Sequence, residues 1–235
     1  MKAMLIRSAF AAVIAASVFG LVTIGRSPSQ GQRLARSVVR VLNFEGTGGG
    51  TGWVTRSASG RRVIVTNDHV CEVAKDGMVR IQDDSGTSSI KEVLTTSFDH
   101  DLCLIEGIEA PALTVAKTGP NRFDDLTVVG HPLLGPLTMS KGQFTGISIL
   151  PIGGFVEEGQ ECPHGTETVQ SLFGTVCIHL MELGTTTAQI YPGNSGSPVI
   201  NTDGEVIGVM NSGDGMMFHG NLVTLNYLRD ILNTK

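Results

Sequence analysis

The stretch Tyr191–Ile200, YPGNSGSPVI, sets two serines inside a run of glycine and proline. Alone it reads as a tight turn opening into a strand, because glycine supplies positive φ and proline fixes φ near −65°. A serine hydroxyl is a weak nucleophile at neutral pH. Chemistry at Ser195 or Ser197 therefore requires a base within reach and a third group that orients the base.

Two segments upstream offer those partners. His69 stands in VIVTNDHVCE, where an apolar strand gives way to a short helix. Asp101 stands in SFDHDLCLIE, immediately before an apolar run that must be buried, so its carboxylate is drawn to the edge of the core and needs a partner. Taken singly, one of six histidines is an ordinary hydrogen-bonded structural residue. The order His, Asp, Ser is more specific than any one member.

The surrounding chain is a series of short β-branched runs separated by turns: SVVRVLNF, TGWVT, RRVIVT, GMVRIQ, IKEVLTT and DLCLIE. After the loop around Gly119–Asp125 a second series follows, LTVVGHP, PLTMSKGQFTGISIL, TVCIHLMEL, SPVIN, EVIGVMN and GNLVTL. Such spacing predicts antiparallel sandwiches or barrels, here two β-units in tandem. Helical pattern is confined to HVCEVAK from His69 and to NYLRDILN, where Leu228, Ile231 and Leu232 share a face.

The 235 residues are 41% hydrophobic and 17% charged, with 30 glycines and a net charge of −5, which excludes disorder and collagen. No basic, aromatic-studded face is available for phosphates, so nucleic acid is not expected as a partner. The N-terminus places Lys2 and Arg7 before an uncharged run, Ser8–Gly25, that would span roughly 27 Å as a helix. Residues 1–25 therefore read as a signal peptide or membrane anchor, and either way the chain that follows is exported. Thr23-Ile24-Gly25 is the only candidate cleavage site, which favours an uncleaved anchor. A polar linker is expected over 26–36, and the main domain over 37–235, dividing near residue 118. Cys71, Cys103, Cys162 and Cys177 fit no zinc spacing and are either two disulfides or buried thiols.

Several segments together resemble the chymotrypsin-like serine proteases, and most of all the catalytic domains of the HtrA (Deg) and glutamyl-endopeptidase types. TNDHV is similar to the histidine segment, HDLCLI to the aspartate strand, and GNSGSPVIN to the nucleophile turn. GTGGGTGWV and VVGHPLLGPLTMSKGQFTGIS are similar to the opening strand and the Gly-x-Pro loop of HtrA enzymes. The resemblance covers nearly all of residues 37–235, with no PDZ domain.

The resemblance implies an all-β fold of two six-stranded antiparallel barrels, with a cleft between them and a short C-terminal helix. It implies Ser195 as nucleophile, His69 as base and Asp101 as the group orienting it, with the N–H groups of Gly193 and Ser195 as oxyanion hole. Gln189 would sit at the base of the primary specificity pocket. Asn211, Ser212 and Gly213 would form the edge that takes an extended peptide, and His219 would either reach the pocket or serve the structure. Met210 stands where glutamyl endopeptidases carry His, and Asn194 where trypsins carry the Asp that pairs with a freed N-terminus. Ser197 and Asp99 are expected to be bystanders. Cys71 would bond Cys103 close beneath the site, since each lies two residues past a catalytic position, and Cys162 would bond Cys177. The implied partner is a protein or peptide, with membrane contact only through the N-terminal segment. No cofactor or metal is expected.

Overall fold

The computed structural model describes residues 29–155, 162, 166–171, 174–214 and 219–234. The candidate anchor at 1–25 lies outside them. Among the described residues no helix is long and apolar enough to cross a membrane.

The first unit contains β1 (Val38–Leu42), β2 (Gly49–Arg56), β3 (Arg62–Thr66), α2 (Asp68–Cys71), β4 (Met78–Gln82), β5 (Ser88–Ser97) and β6 (Leu102–Glu106). Its strands close into an antiparallel barrel in the order β1-β2-β3-β6-β5-β4. The interior follows from the pleat: in β4, Val79 and Ile81 point in while Met78, Arg80 and Gln82 do not. Val39, Val41, Val54, Ile64, Ile81 and Ile105 fill the barrel. Each such side chain, fully buried, is worth about 1.5–3 kcal/mol.

The second unit contains β7 (Asp125–Gly130), β8 (Thr138–Phe155), β9 (Glu167–Ser171), β10 (Gly174–Thr186), β11 (Pro198–Ile200), β12 (Val206–Asp214) and β13 (His219–Thr224), followed by α3 (Leu225–Leu232). Six strands run β13-β12-β11-β7-β8-β10, and pairing of β10 with β13 joins the two ends. The difference from the expected six is β9, a seventh strand on the outer edge of β10. It exists because β8 and β10 outrun the barrel, staying paired to Val176 opposite Phe155. In the sequence, Pro151 and the glycines after it look like the end of β8. They are tolerated because β7 pairs with β8 only as far as Gln143, so at Pro151 that side of β8 is an edge where a missing N–H breaks no ladder.

A second departure is α1 (Gln30–Ser37), a helix where a linker is expected. Ser29 and Gln32 form a reciprocal capping box, Leu34 is buried, and Ser37 Oγ donates to Pro111 O at 2.6 Å. With Leu34 its only large apolar residue, the helix left a period too faint to read. At the other end α3 buries Leu225, Leu228, Ile231 and Leu232 and packs on both β6 and β12. The larger core cluster accordingly crosses the junction, joining Trp53, Val65 and Leu104 to Val209, Met210 and Leu228. The cleft is thus held by a shared core.

Candidate active site

Strand β3 ends at Thr66, and Asn67, in extended conformation, starts the single turn of α2 that carries His69. Beside it, leading into the adjacent strand β6, a 3₁₀ turn at Phe98–His100 ends on Asp101, whose φ of +46° is left-handed, a region that Asp tolerates better than most residues. The Asp101 carbonyl accepts from Asn67 Nδ2 at 2.8 Å, tying the two turns together. The side chains meet squarely. Asp101 Oδ2 lies 2.8 Å and Oδ1 3.0 Å from His69 Nδ1, and Oδ1 also accepts from the His69 backbone N–H at 3.0 Å.

Asp101 is 8% exposed, and a buried carboxylate needs every lone pair satisfied. Asn211 supplies the remaining donor, its Nδ2 lying 2.5 Å from Oδ2. This side chain reaches the site because the ladder between β12 and β13 shifts register between Met210 and Ser212, leaving Asn211 as the extra residue of a bulge that re-aims it. Burial pushes the His69 imidazole down, but the hydrogen bond and charge of Asp101 outweigh it, so its pKa lies above the ordinary 6.5. Asp68 next to it is held above the usual carboxylate range by burial and by the charges of Asp101 and Glu72.

The serine turn crosses from the other barrel. Ser195 Oγ donates to the Asn211 carbonyl at 3.1 Å, and no hydrogen bond joins it to His69. Among the described residues, no acceptor meets the backbone N–H of Gly193 or of Ser195. Their aim follows from the carbonyls of the same peptide units, since N–H and C=O of a trans peptide point in opposite directions. Pro192 O is held by Leu133 N at 2.6 Å and Asn194 O by Ser197 N at 3.0 Å, so both free N–H groups face the other way. Gly193 has φ +92°, and a Cβ there would come within 2.6 Å of His131 O, so both conformation and space require glycine.

Thr51 of β2 completes the turn. Its N–H donates to Ser195 O at 2.8 Å and its Oγ1 to Gly193 O at 2.7 Å, while Oγ1 accepts from His131 N at 3.0 Å. The buried His131 donates from Nδ1 to Gly135 O at 3.0 Å. Burial lowers its pKa, a tendency that Arg40 reinforces, so this imidazole is neutral.

The remaining expected residues fall as follows. Ser197 is fully buried, and Asp99 is exposed, its carbonyl accepting from His179 Nε2 at 3.2 Å. Asn194 is buried. Ser212 and Gly213 lie on β12 past its last pairing with β11, so one edge there pairs with no described strand. Gln189 is exposed rather than set in a pocket. The residue between the strands is Ile190: its side chain lies where a Cβ on Gly213 or Gly220 would fall, with Thr186 and Met210 beside it. The His219 backbone pairs opposite Asp214, and its side chain lies outside the described residues. Cys71 bonds Cys103 and Cys162 bonds Cys177. Among the described residues, no cluster of His, Cys, Asp and Glu could hold a metal ion.

Sequence reasoning passed over Asn211 as a partner of Asp101, the contacts of Thr51 and of the 131–135 loop with the Gly193 turn, and Ile190. Asn211 carried no local signal, since a bulge is set by strand pairing. Ile190, an apolar residue next to Gln189, carried no chemical signal of its own.

The family model of the trypsin-like peptidase domain matches residues 50–209. Serine protease Do-like HtrA of Bacillus subtilis is 26% identical over 169 residues, covering 69% of this chain and 33% of that protein. Serine protease Do-like HtrB of the same organism is 27% identical over 183 residues, covering 71% and 35%. The chain thus spans about a third of the length of these curated relatives. Among solved structures, the serine endoprotease from Yersinia pestis superposes with a TM-score of 0.62 at 18% identity, over 88% of this chain and 66% of that one. The active form of the Rv3671c protease from M. tuberculosis gives 0.62 at 21%, over 86% and 83%. These two likenesses speak to the fold, and the family match reaches into both barrels and includes His69, Asp101, Gly193 and Ser195. The chain belongs to the trypsin-like peptidase family.

Proposed function

We propose that the chain is a serine endopeptidase that cleaves extended polypeptides through an acyl-enzyme, in an extracytoplasmic compartment. The observation that carries this reading is the buried Asp101 gripping both the ring and the main chain of His69, beside a serine whose own N–H and that of Gly193 meet no acceptor among the described residues.

With Nδ1–H donated to Asp101, the Nε2 of His69 carries a lone pair. Rotation of the Ser195 side chain away from Asn211 O brings Oγ to that lone pair, a bond that tightens only when substrate is bound. Ser195 Oγ then attacks the scissile carbonyl, and His69 takes its proton. Asp101 stabilises the imidazolium, while the carbonyl oxygen, now negative, is met by the two free N–H groups. His69 returns the proton to the leaving amine. A water molecule then repeats the sequence on the acyl-enzyme.

The free edge of β12 at Ser212–Gly213 would take the peptide as an added strand. Ile190, Thr186 and Met210 make the adjoining wall neutral and shallow, which favours small to medium uncharged side chains before the cleaved bond. The two disulfides fit an oxidising compartment. A reading as a binding module that keeps the fold without turnover makes the opposite prediction for covalent labelling. A cleavage-site profile of the full-length protein on a peptide library tests both activity and preference. Hydrolysis abolished by Ser195→Ala supports the endopeptidase. A protein that binds peptides and cuts none supports the binding module.

A further inference from the structure

The oxyanion hole of the proposed protease lies in the second barrel, yet part of what fixes it comes from the first. The N–H of Gly193 is aimed by Leu133, which holds the carbonyl of the same peptide unit at 2.6 Å. Leu133 and Leu134 both have left-handed backbone, φ +53° and +57°, which leucine adopts at a cost. Two consecutive strained residues persist only where their surroundings over-determine them, and such strain gathers at functional sites.

From within the loop His131 Nδ1 donates to Gly135 O at 3.0 Å, and from the first barrel one side chain adds the restraint. Arg40, on β1, crosses the junction and donates from Nε to Leu134 O at 2.9 Å and to Gly135 O at 3.2 Å, and from Nη2 to Gly135 O at 2.6 Å. Among these, the two Gly135 contacts and the Leu134 contact close around the carbonyls that follow the strained residues. In the β1–β2 ladder Arg40 stands directly opposite Thr51, the residue that holds Gly193 O and Ser195 O. One cross-strand pair on the first barrel therefore restrains the Gly193 turn at two points, Thr51 directly and Arg40 through the 133–135 loop.

We propose that Arg40 is a positioning residue for catalysis: by clamping the 134 and 135 carbonyls it holds Leu133 against Pro192 O and so keeps the Gly193 N–H turned into the oxyanion hole. The inference rests on the endopeptidase reading above. With the clamp loosened, the leucines can relax to ordinary backbone, Leu133 N leaves Pro192 O, and the 192–193 peptide is free to rotate. The triad and the substrate-binding edge of β12 lie elsewhere and are untouched.

Because the hole acts on charge that develops in the transition state, its loss should lower kcat and leave KM nearly unchanged. Removing an oxyanion donor outright costs about 10²–10³ in rate, so misaiming one should cost roughly tenfold to a hundredfold. The test uses the full-length protein with the best peptide from the cleavage profile, and the matching peptide aldehyde, whose hemiacetal oxygen occupies the hole. Arg40→Gln should lose kcat in that range, keep KM within about threefold, and weaken aldehyde inhibition in proportion to kcat. Arg40→Lys, keeping a cation but not the two-armed grip, should fall between the two. Arg80→Gln, on β4 and away from the loop, should behave as the parent.

Unchanged kcat in Arg40→Gln, or a loss of kcat without loss of aldehyde affinity, would overturn the assignment. Should Arg40→Gln fail to fold, Arg40→Lys carries the same comparison, and parent-like kcat and aldehyde affinity there would overturn it equally. A parent protein that neither cuts peptide nor binds aldehyde would instead remove the endopeptidase reading itself.

Discussion

At the scale of single residues, the site separates groups that share a chemistry but not a place. Ser195 and Ser197 are two positions apart, yet one faces the cleft and the other is fully buried with its hydroxyl against Gly130. Ser195→Ala should abolish hydrolysis in a peptide assay, while Ser197→Ala should retain at least about a tenth of the parent rate, since the second hydroxyl touches no reacting atom. Equal losses would undo the assignment. Asp101→Asn should reduce kcat by roughly 10⁴ near neutral pH, because the amide favours the wrong His69 tautomer. The pH profile follows from sign. Asp101 favours the cationic imidazole and raises its pKa, whereas the base must be neutral, so kcat/KM should rise with pH along a limb centred above 6.5. In Asp101→Asn the charge is gone and burial remains, so the limb should move down. A limb at or below 6.5 in the parent would mean that the carboxylate does not dominate the histidine.

At the scale of elements, most of the β-structure was legible because short β-branched runs and Gly/Asp turns mark strands whatever packs on them. The same rules could not see β9, the length of β8 or the helix at Gln30–Ser37. Each of these depends on what lies beside the segment: a free edge at Pro151, and a capping box with one buried leucine. His69, Asp101 and Ser195 stood out as candidates because each sits where one element stops and another starts, a place that leaves a sequence signature. Asn211 and Thr51 did not, because a bulge and a cross-barrel contact leave none. The disulfide between Cys71 and Cys103 fastens α2 to β6, the elements carrying His69 and leading from Asp101. It closes a sequence separation of 32 residues, so replacing both cysteines by alanine should cost roughly 3–4 kcal/mol in denaturant unfolding. A loss under about 1 kcal/mol would mean that α2 is held by its packing alone.

At the scale of the molecule, two barrels share one core through α3 and Trp53, and the residues of the candidate site come from both: His69 and Asp101 from the first, Ser195 and Asn211 from the second. Such a site exists only while the junction is intact, which is why residues that touch no substrate, Thr51 and Arg40 among them, bear on its geometry. The wall of Ile190, Thr186 and Met210 sets a further outcome. A charged side chain pressed there would lose water without gaining a partner, so the cleavage profile should disfavour Lys, Arg, Asp and Glu before the cut by at least about tenfold. Strong cleavage after Lys or Arg would show that an acidic group reaches the wall. The central claim is that Ser195 is a nucleophile activated by His69, and the most direct measurement is the site of covalent labelling by a fluorophosphonate, mapped by peptide mass. The account predicts a single adduct on Ser195 in the parent, lost in Ser195→Ala and strongly slowed in His69→Ala. Absence of an adduct on the folded parent, or labelling of Ser195 that is indifferent to His69, would contradict it.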